Sequence, residues 1–245
     1  AGAVNLSTSG ANLTLNASET IGSLTGVSGT TVTLGATTLT TGDGTTTAYA
    51  GVIGGTGGAL TKEGAGTFTL SGANTYTGLT TVSAGTLSAQ NVTALGTTAL
   101  GTTVASGATL NINGVAIGAE ALTIDGTGVG AAGALTGTGT ASLSGGISLG
   151  ASTPTVGGAG TLNLSGVIAD GAGSTLTKTG TGTVTLSNAN TYSGLTTVNA
   201  GVVNVQNNNT ALGTSAGATT VASGAAVQID GTGLAIAEPF SIAGT

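Results

Sequence analysis

Carboxylates are the side chains of this sequence best suited to acid–base chemistry, because histidine, arginine and cysteine are absent. A glycosidase needs two carboxyl groups held about 5 to 10 Å apart. Each aspartate is followed by glycine, a pair typical of turns in which the carboxylate accepts hydrogen bonds from nearby amides. The four are Asp43, Asp125, Asp170 and Asp230. Nothing in the sequence brings two of these turns together, so we predict no catalytic residue and no enzymatic activity.

The aspartates also lack the pattern of a metal site. Calcium-binding β-solenoid repeats place a glycine two residues before each aspartate, and none of the four has one. Because the sequence has no cysteine, it offers no thiolate ligand either. We predict neither a metal site nor a cofactor site.

One polar tripeptide, Asn-Thr-Tyr, occurs twice. An exposed Asn–Tyr pair could contact a glycan or a protein partner, because tyrosine offers a flat apolar face and a hydroxyl group. The candidates for such surface contact are Asn74, Tyr76, Asn190 and Tyr192. The alternative, which we favour, is structural: the asparagine caps a turn and the tyrosine folds over the corner.

Apolar residues alternate with Thr, Ser, Asn or Asp, the period expected of strands with one buried and one exposed face. The alternating pairs are Leu13 and Leu15, Val32 and Leu34, Phe68 and Leu70, Leu110 and Ile112, Leu122 and Ile124, Leu162 and Leu164, Val184 and Leu186, and Val227 and Ile229. No stretch has convincing helical periodicity. Glycine, at 48 of 245 residues, suits the tight corners between such strands.

The spacing of these strands predicts an all-β fold, a parallel β-solenoid. Strand cores recur about every 10 residues, so two or three strands would form a turn of roughly 20 to 30 residues. The chain would make about 8 to 12 turns and a rod on the order of 40 to 60 Å long. A β-sandwich is the alternative, although a long internal duplication with turns rich in glycine and threonine is not typical of it.

The sequence contains a duplication shifted by 116 residues. Residues 60–85 and 176–201 are identical at 20 of 26 positions. A chain built from a repeated unit usually has a structural rather than a catalytic role, because each unit buries its apolar face by stacking on the next. We predict one continuous solenoid with a partial unit at 1–59, a full unit at 60–175 and a shorter unit at 176–245.

The charge of the chain excludes several partners. Its net charge is −6, and its only cations are Lys62 and Lys178, which we predict to be solvated. Without a basic stripe the chain has no means of neutralising phosphates, so we predict no nucleic-acid partner. No apolar run approaches the roughly 18 residues of a membrane-spanning helix, and we predict no membrane insertion of this segment.

The duplicated string KxGxGTxTLSxANTYxGxTTVxAG, at residues 62–85 and 178–201, resembles the passenger-associated repeat of autotransporter proteins. Those proteins are large bacterial surface and secreted chains. The resemblance implies a right-handed parallel β-helix (β-solenoid) and a location outside the cell or on the bacterial outer surface. The sequence shows neither a signal peptide nor a translocator barrel, so we expect those parts to lie elsewhere in a longer protein.

Together these features favour a structural role as a stalk, spacer or extracellular filament segment. The alternative is an adhesin that binds glycans or a host or other cell surface through its lateral face. The second copy stops at Gly244-Thr245, where the first continues into further strands. Open strand edges invite another chain, so we also expect end-to-end self-association into a fibre.

Overall fold

The computed structural model describes residues 1–171 and 173–243. These residues form 29 short strands and one 3-10 turn at Val129–Ala131. The strands are β1 (Ala3–Leu6), β2 (Asn12–Thr14), β3 (Glu19–Ile21), β4 (Ser23–Gly26), β5 (Thr31–Thr33), β6 (Thr38–Thr41), β7 (Thr47–Tyr49), β8 (Val52–Gly54), β9 (Ala59–Lys62), β10 (Thr67–Leu70), β11 (Thr80–Val82), β12 (Thr86–Ala89), β13 (Thr102–Val104), β14 (Thr109–Asn113), β15 (Ala116–Ile117), β16 (Leu122–Ile124), β17 (Leu135–Thr138), β18 (Thr140–Leu143), β19 (Ile147–Leu149), β20 (Thr155–Gly158), β21 (Thr161–Leu164), β22 (Ile168–Asp170), β23 (Leu176–Lys178), β24 (Thr183–Leu186), β25 (Thr196–Val198), β26 (Val202–Gln206), β27 (Thr219–Val221), β28 (Ala226–Asp230) and β29 (Phe240–Ile242).

The strands stack into a three-sided coil. One side, the long sheet, contains 12 strands in the order β1-β4-β7-β10-β12-β14-β17-β20-β23-β25-β27-β29. A second side is an eight-stranded sheet, β3-β6-β9-β11-β13-β16-β19-β22. The third side holds a three-stranded sheet, β2-β5-β8, and a six-stranded sheet, β15-β18-β21-β24-β26-β28. A complete turn therefore passes from the long sheet to the third side and then to the eight-stranded sheet.

This arrangement confirms the predicted parallel β-solenoid. Successive strands of the long sheet begin 19 to 26 residues apart, and 12 such strands make about 11 turns. At about 4.8 Å between stacked strands, the rod is about 50 Å long. The handedness of the coil stays a prediction.

The core is a thin column of inward-facing apolar side chains. Strands such as β10 alternate half-buried and buried residues, as the sequence predicted, and Phe68 stacks directly on Leu87 of the next turn. The alternation of buried and exposed residues weakens in the last turn, where Ile229 is 51% exposed. Gly244 and Thr245, on which the end-to-end expectation rests, lie outside the described residues.

Several corners between the strands leave no room for side chains. A Cβ atom on Gly72 would lie 1.7 Å from the carbonyl oxygen of Gly51 in the preceding turn. Glycine at such positions therefore allows the backbones of consecutive turns to stack in contact.

The two copies of the repeat occupy different sides of the coil. The first begins at β9 in the eight-stranded sheet, whereas the second begins at β23 in the long sheet. Five turns lead from β9 to β22 within the eight-stranded sheet, and β23 then follows on the next side. The 116-residue shift thus corresponds to five and one third turns, so the second copy is rotated by one side.

Candidate functional site

In each copy of the repeat, loops replace strands on one side of the solenoid. In the first copy, residues 71–79 and 90–101 separate the two sheets of the third side. In the second copy, residues 187–195 and 207–218 follow the last strand of the eight-stranded sheet. Backbone groups facing these loops lack strand partners. The loop backbone satisfies some of them, as where the N–H of Thr75 donates to the carbonyl oxygen of Ile53 at 2.9 Å, and side chains satisfy others.

Asn74 supplies that replacement in the first copy. Its Oδ1 accepts a hydrogen bond from the backbone N–H of Ile53 at 2.9 Å, and its Nδ2 donates to the carbonyl oxygen of Ala94 at 2.7 Å. The side chain therefore links three consecutive turns, with its amide in the role of a backbone peptide group.

Asn190 makes the same pair of contacts in the second copy. Its Oδ1 accepts from the N–H of Ile168 at 2.8 Å, and its Nδ2 donates to the carbonyl oxygen of Ala211 at 2.6 Å. The contact is thus a property of the repeat.

Each repeated tyrosine fixes the corner that follows. The Tyr76 hydroxyl lies 2.6 Å from Thr80 Oγ1, which donates to the carbonyl oxygen of Leu95 at 3.0 Å. Tyr192 and Thr196 form the equivalent pair at 2.8 Å. Burial raises the pKa of both tyrosines, so their hydroxyls remain protonated at neutral pH.

The burial of the four candidate contact residues argues against contact with a partner. Asn74, Tyr76, Asn190 and Tyr192 are all at most 3% exposed. Their polar groups are engaged inside the coil, because the loops need replacements for strand hydrogen bonds. The alternative, in which they stabilise the turn and its corner, is the one the structure supports.

Both lysines are also buried, so the prediction that they are solvated is wrong. Lys62 Nζ donates to the carbonyl oxygens of Glu63, Gly64 and Ala84 at 2.6, 2.8 and 3.0 Å. Burial lowers the pKa of this lysine, and the charge of Asp43 partly offsets the effect.

Lys178 occupies the equivalent corner of the second copy. Its Nζ donates to the carbonyl oxygens of Thr179, Gly180 and Ala200 at 2.9, 2.8 and 3.0 Å. Burial lowers its pKa to about 8, so the ammonium form prevails at neutral pH. Each of the two lysines therefore binds carbonyl oxygens at its own corner and at the corner of the next turn.

The aspartates lie at strand ends and corners, largely as predicted. Asp43 and Asp125 follow β6 and β16, whereas Asp170 and Asp230 are the last residues of β22 and β28. Of the four following glycines, Gly126 has a positive φ, 71°. The glycines that follow the other three aspartates do not have a positive φ.

Two of these carboxylates join neighbouring turns. Asp125 Oδ1 accepts from the N–H of Ser152 at 2.7 Å, and Asp170 Oδ2 accepts from the N–H of Ser193 at 3.1 Å. Within residues 1–171 and 173–243, no three acidic side chains form a group that could hold a metal ion.

A cleft of 570 Å³ opens beside the loops of the first copy. Its walls include the apolar side chains of Val92, Leu95 and Ile117, and Glu120 also lines it. Glu120 is 2% exposed, and its Oε1 accepts a hydrogen bond from Thr102 Oγ1 at 2.7 Å. Burial raises the pKa of this carboxyl group, and the hydrogen bond from Thr102 opposes the increase.

Sequence reasoning did not single out Glu120, although a signal was present. The dipeptide Ala-Glu recurs at residues 119–120 and 237–238. Glu238 in the second copy likewise accepts a hydrogen bond from a strand-initial threonine, Thr219. A glutamate retained in both copies of a chain with 4% charged residues points to a structural or binding position.

No helix among the described residues is long and apolar enough to cross a membrane. No curated protein and no solved structure matches the chain. A family model, described as the passenger-associated-transport-repeat, matches residues 60–89 and 176–205. These matches contain the asparagine, tyrosine and lysine contacts described above. The chain therefore contains two passenger-associated-transport repeats, of the kind found in autotransporter passenger domains.

Proposed function

We propose that this chain is a structural rod within an exported bacterial passenger, a stalk or spacer that holds a terminal domain away from the cell surface. The observation that carries the proposal is the long sheet, whose 12 parallel strands extend from Ala3 to Ile242. In such a sheet every turn is hydrogen-bonded to its neighbours, so added turns lengthen the rod without changing its cross-section. The two passenger-associated-transport repeats support the surface or secreted location.

A non-catalytic role is part of this proposal. Asp125 and Asp170 lie two turns apart, about 10 Å along the axis, and both carboxylates are engaged with backbone amides. This spacing is at the outer limit for a glycosidase pair. The proposal also includes end-to-end association of rods into a fibre, which analytical ultracentrifugation of the purified chain would test.

An epitope inserted after Gly44, in an exposed connection, tests the location in the parent protein. We expect antibody to label intact cells or the secreted fraction. An epitope on a cytoplasmic protein of the same cells is the control for membrane integrity. Labelling that requires permeabilised cells would contradict the proposed address.

Electron microscopy of the same labelled protein tests the rod. We expect the antibody to mark a fixed point along an elongated particle that is continuous on both sides of the label. A compact particle with no rod would contradict the stalk.

An adhesin that binds glycans through its side is a second candidate, favoured by an in-register column of threonines on the eight-stranded sheet. Its members are Thr20, Thr40, Thr61, Thr81, Thr103 and Thr123. All six are exposed or half-buried, so a row of hydroxyl groups about 4.8 Å apart faces solvent. Such a row could form hydrogen bonds with the hydroxyl groups of a sugar chain.

Thr81→Glu tests this candidate, with Thr220→Glu on the long sheet as the matched control. We expect loss of binding on a glycan array with the first variant and retention with the second. Equal binding by both variants and the parent chain would eliminate the column as an adhesive face.

A further inference from the structure

The cleft of the first repeat combines features of a ligand site. Its volume of 570 Å³ falls within the range of about 300 to 1,000 Å³ typical of small-molecule pockets. Its walls combine apolar side chains, among them Val92, Leu95 and Ile117, with Asn74 and four threonines. One ionisable side chain, Glu120, lines it.

Within residues 1–171 and 173–243, Glu120 has no cationic partner. Among the described residues, its side chain accepts one hydrogen bond, from Thr102 Oγ1. Lys62 and Lys178 are the only cations of the sequence, and both donate to corner carbonyl oxygens. A carboxylate that is 2% exposed is stabilised by an incoming cation, because its burial limits the screening of its charge by solvent.

The second repeat provides a natural comparison in which the cleft is closed. Asn91 and Asn208 both accept a hydrogen bond from the N–H of the threonine two residues later, so Val92 corresponds to Asn209. Asn209 Oδ1 accepts from the N–H of Ala235 at 2.9 Å, which connects the two walls. The hollow beside Glu238 measures 30 Å³.

From this geometry we propose that the cleft over Glu120 binds the primary ammonium group of an alkylamine. The ammonium group pairs with the Glu120 carboxylate, and the alkyl chain packs against Val92, Leu95 and Ile117. A primary ammonium fits better than a metal ion, because the cleft holds a single carboxylate and no three acidic side chains among the described residues form a group that could hold a metal ion. The net charge of −6 favours the approach of a cation. Free amines and the lysine side chains of a peptide both carry this group.

The test titrates the ¹⁵N-labelled chain of 245 residues with pentylamine and, as the neutral matched probe, 1-pentanol. We expect pentylamine to shift the amide signals of Val92, Gly96 and Ile117 and to leave that of Gly213 unchanged. Pentanol should bind at least tenfold more weakly, because it lacks the charge. A peptide with one lysine, compared with its Nε-acetylated form, distinguishes a polypeptide source from a free amine.

Two substitutions decide the role of the carboxylate. Glu120→Gln retains an oxygen acceptor for Thr102 and should weaken pentylamine binding by about tenfold or more. Glu238→Gln, the equivalent change in the closed hollow, should leave the affinity unchanged. Should Glu120→Gln fail to fold by circular dichroism, Val92→Asn, which copies the second repeat, should close the cleft and abolish binding. The proposal would be overturned if pentylamine and pentanol bound with equal affinity. It would also be overturned if Glu120→Gln, or a folded Val92→Asn, bound pentylamine as tightly as the parent chain does.

Discussion

Two lysine side chains carry all the positive charge of the sequence, and both lie inside the coil. Each ammonium group binds three backbone carbonyl oxygens at a corner, two from its own turn and one from the next. These carbonyl oxygens converge where the backbone bends, so one group with three donors satisfies them together. The lysine of the repeat is therefore a structural clamp between turns.

Replacing Lys178 with methionine should destabilise the protein by about 3 kcal/mol, because buried carbonyl oxygens left without donors cost roughly 1 to 3 kcal/mol each and a methionine recovers some packing. Lys62→Met should behave in the same way. Thr123→Val, on an exposed strand position, is the control and should change stability by less than about 0.5 kcal/mol. Urea unfolding would measure all three, and equal midpoints for Lys178→Met and the control would refute the clamp.

The buried carboxyl group of Glu120 should make stability depend on pH. Its pKa is raised in the folded state, so its contribution is fully present below the ordinary pKa of 4.5 and is lost as pH rises through the folded pKa. Glu120→Gln removes this loss. We expect the stability of the variant, relative to the parent chain, to increase between pH 4.5 and pH 7. Urea unfolding at the two pH values measures the difference in the free energy of unfolding between the variant and the parent chain. A difference that does not change with pH would contradict a raised pKa for Glu120.

The burial of these residues was partly predictable from the alternation of the strands. Lys62 follows Leu60 by two residues, so it shares the inward face of β9, and both positions recur in the second copy. We predicted solvated lysines because lysine is rarely buried in proteins. That prediction gave too little weight to the two-residue alternation of buried and exposed positions along the strand. Its three acceptors could not be predicted, because they depend on how closely the corners of consecutive turns stack.

At the scale of elements, the repeat exchanges strands for loops that side-chain amides hold in place. Loop 71–79 lies beyond β8, where a further strand of the third side would otherwise pair. Asn74 satisfies a donor in β8 and an acceptor in the next loop. The sequence signal, the repeated Asn-Thr-Tyr, correctly indicated a turn. The interruption of the sheet itself was not predictable, because the flanking residues resemble those of other turns.

Asn74→Asp should destabilise the protein by about 2 to 4 kcal/mol, because the carboxylate has no proton to donate to Ala94 and adds a buried charge. Asn190→Asp should have a similar effect in the second copy. The exposed Asn16→Asp introduces the same charge and should change stability by less than about 0.5 kcal/mol. Thermal unfolding compares the variants, and a shared melting temperature for Asn74→Asp and Asn16→Asp would rule out the bridging role.

At the scale of the whole molecule, the repeat and the turn have different periods. Strand alternation predicted the turn length and the approximate number of turns, and the duplication predicted a solenoid. The rotation of the second copy by one side was not predictable, because turn lengths vary from 19 to 26 residues and their sum sets the position of β23. Equivalent loops therefore face different directions along the rod.

For folding, complete turns matter more than complete repeats, because neighbouring turns pair strand by strand. Residues 147–167 form one complete turn, comprising β19, β20 and β21. Removing them allows β16 to pair with β22 and β18 with β24, with Leu122 opposite Ile168 and Thr140 opposite Thr183. We expect this variant to fold and to be about 4.8 Å shorter by small-angle X-ray scattering.

Removing residues 147–157 instead should prevent folding, because that deletion takes about half a turn and brings strands of different sides into register. Circular dichroism and size-exclusion chromatography would distinguish a folded monomer from an aggregate. Loss of structure in both deletions would mean that the order of the particular turns is essential. If the chain lacking residues 147–167 folds and the chain lacking residues 147–157 does not, one complete turn is the unit by which this rod can be lengthened or shortened.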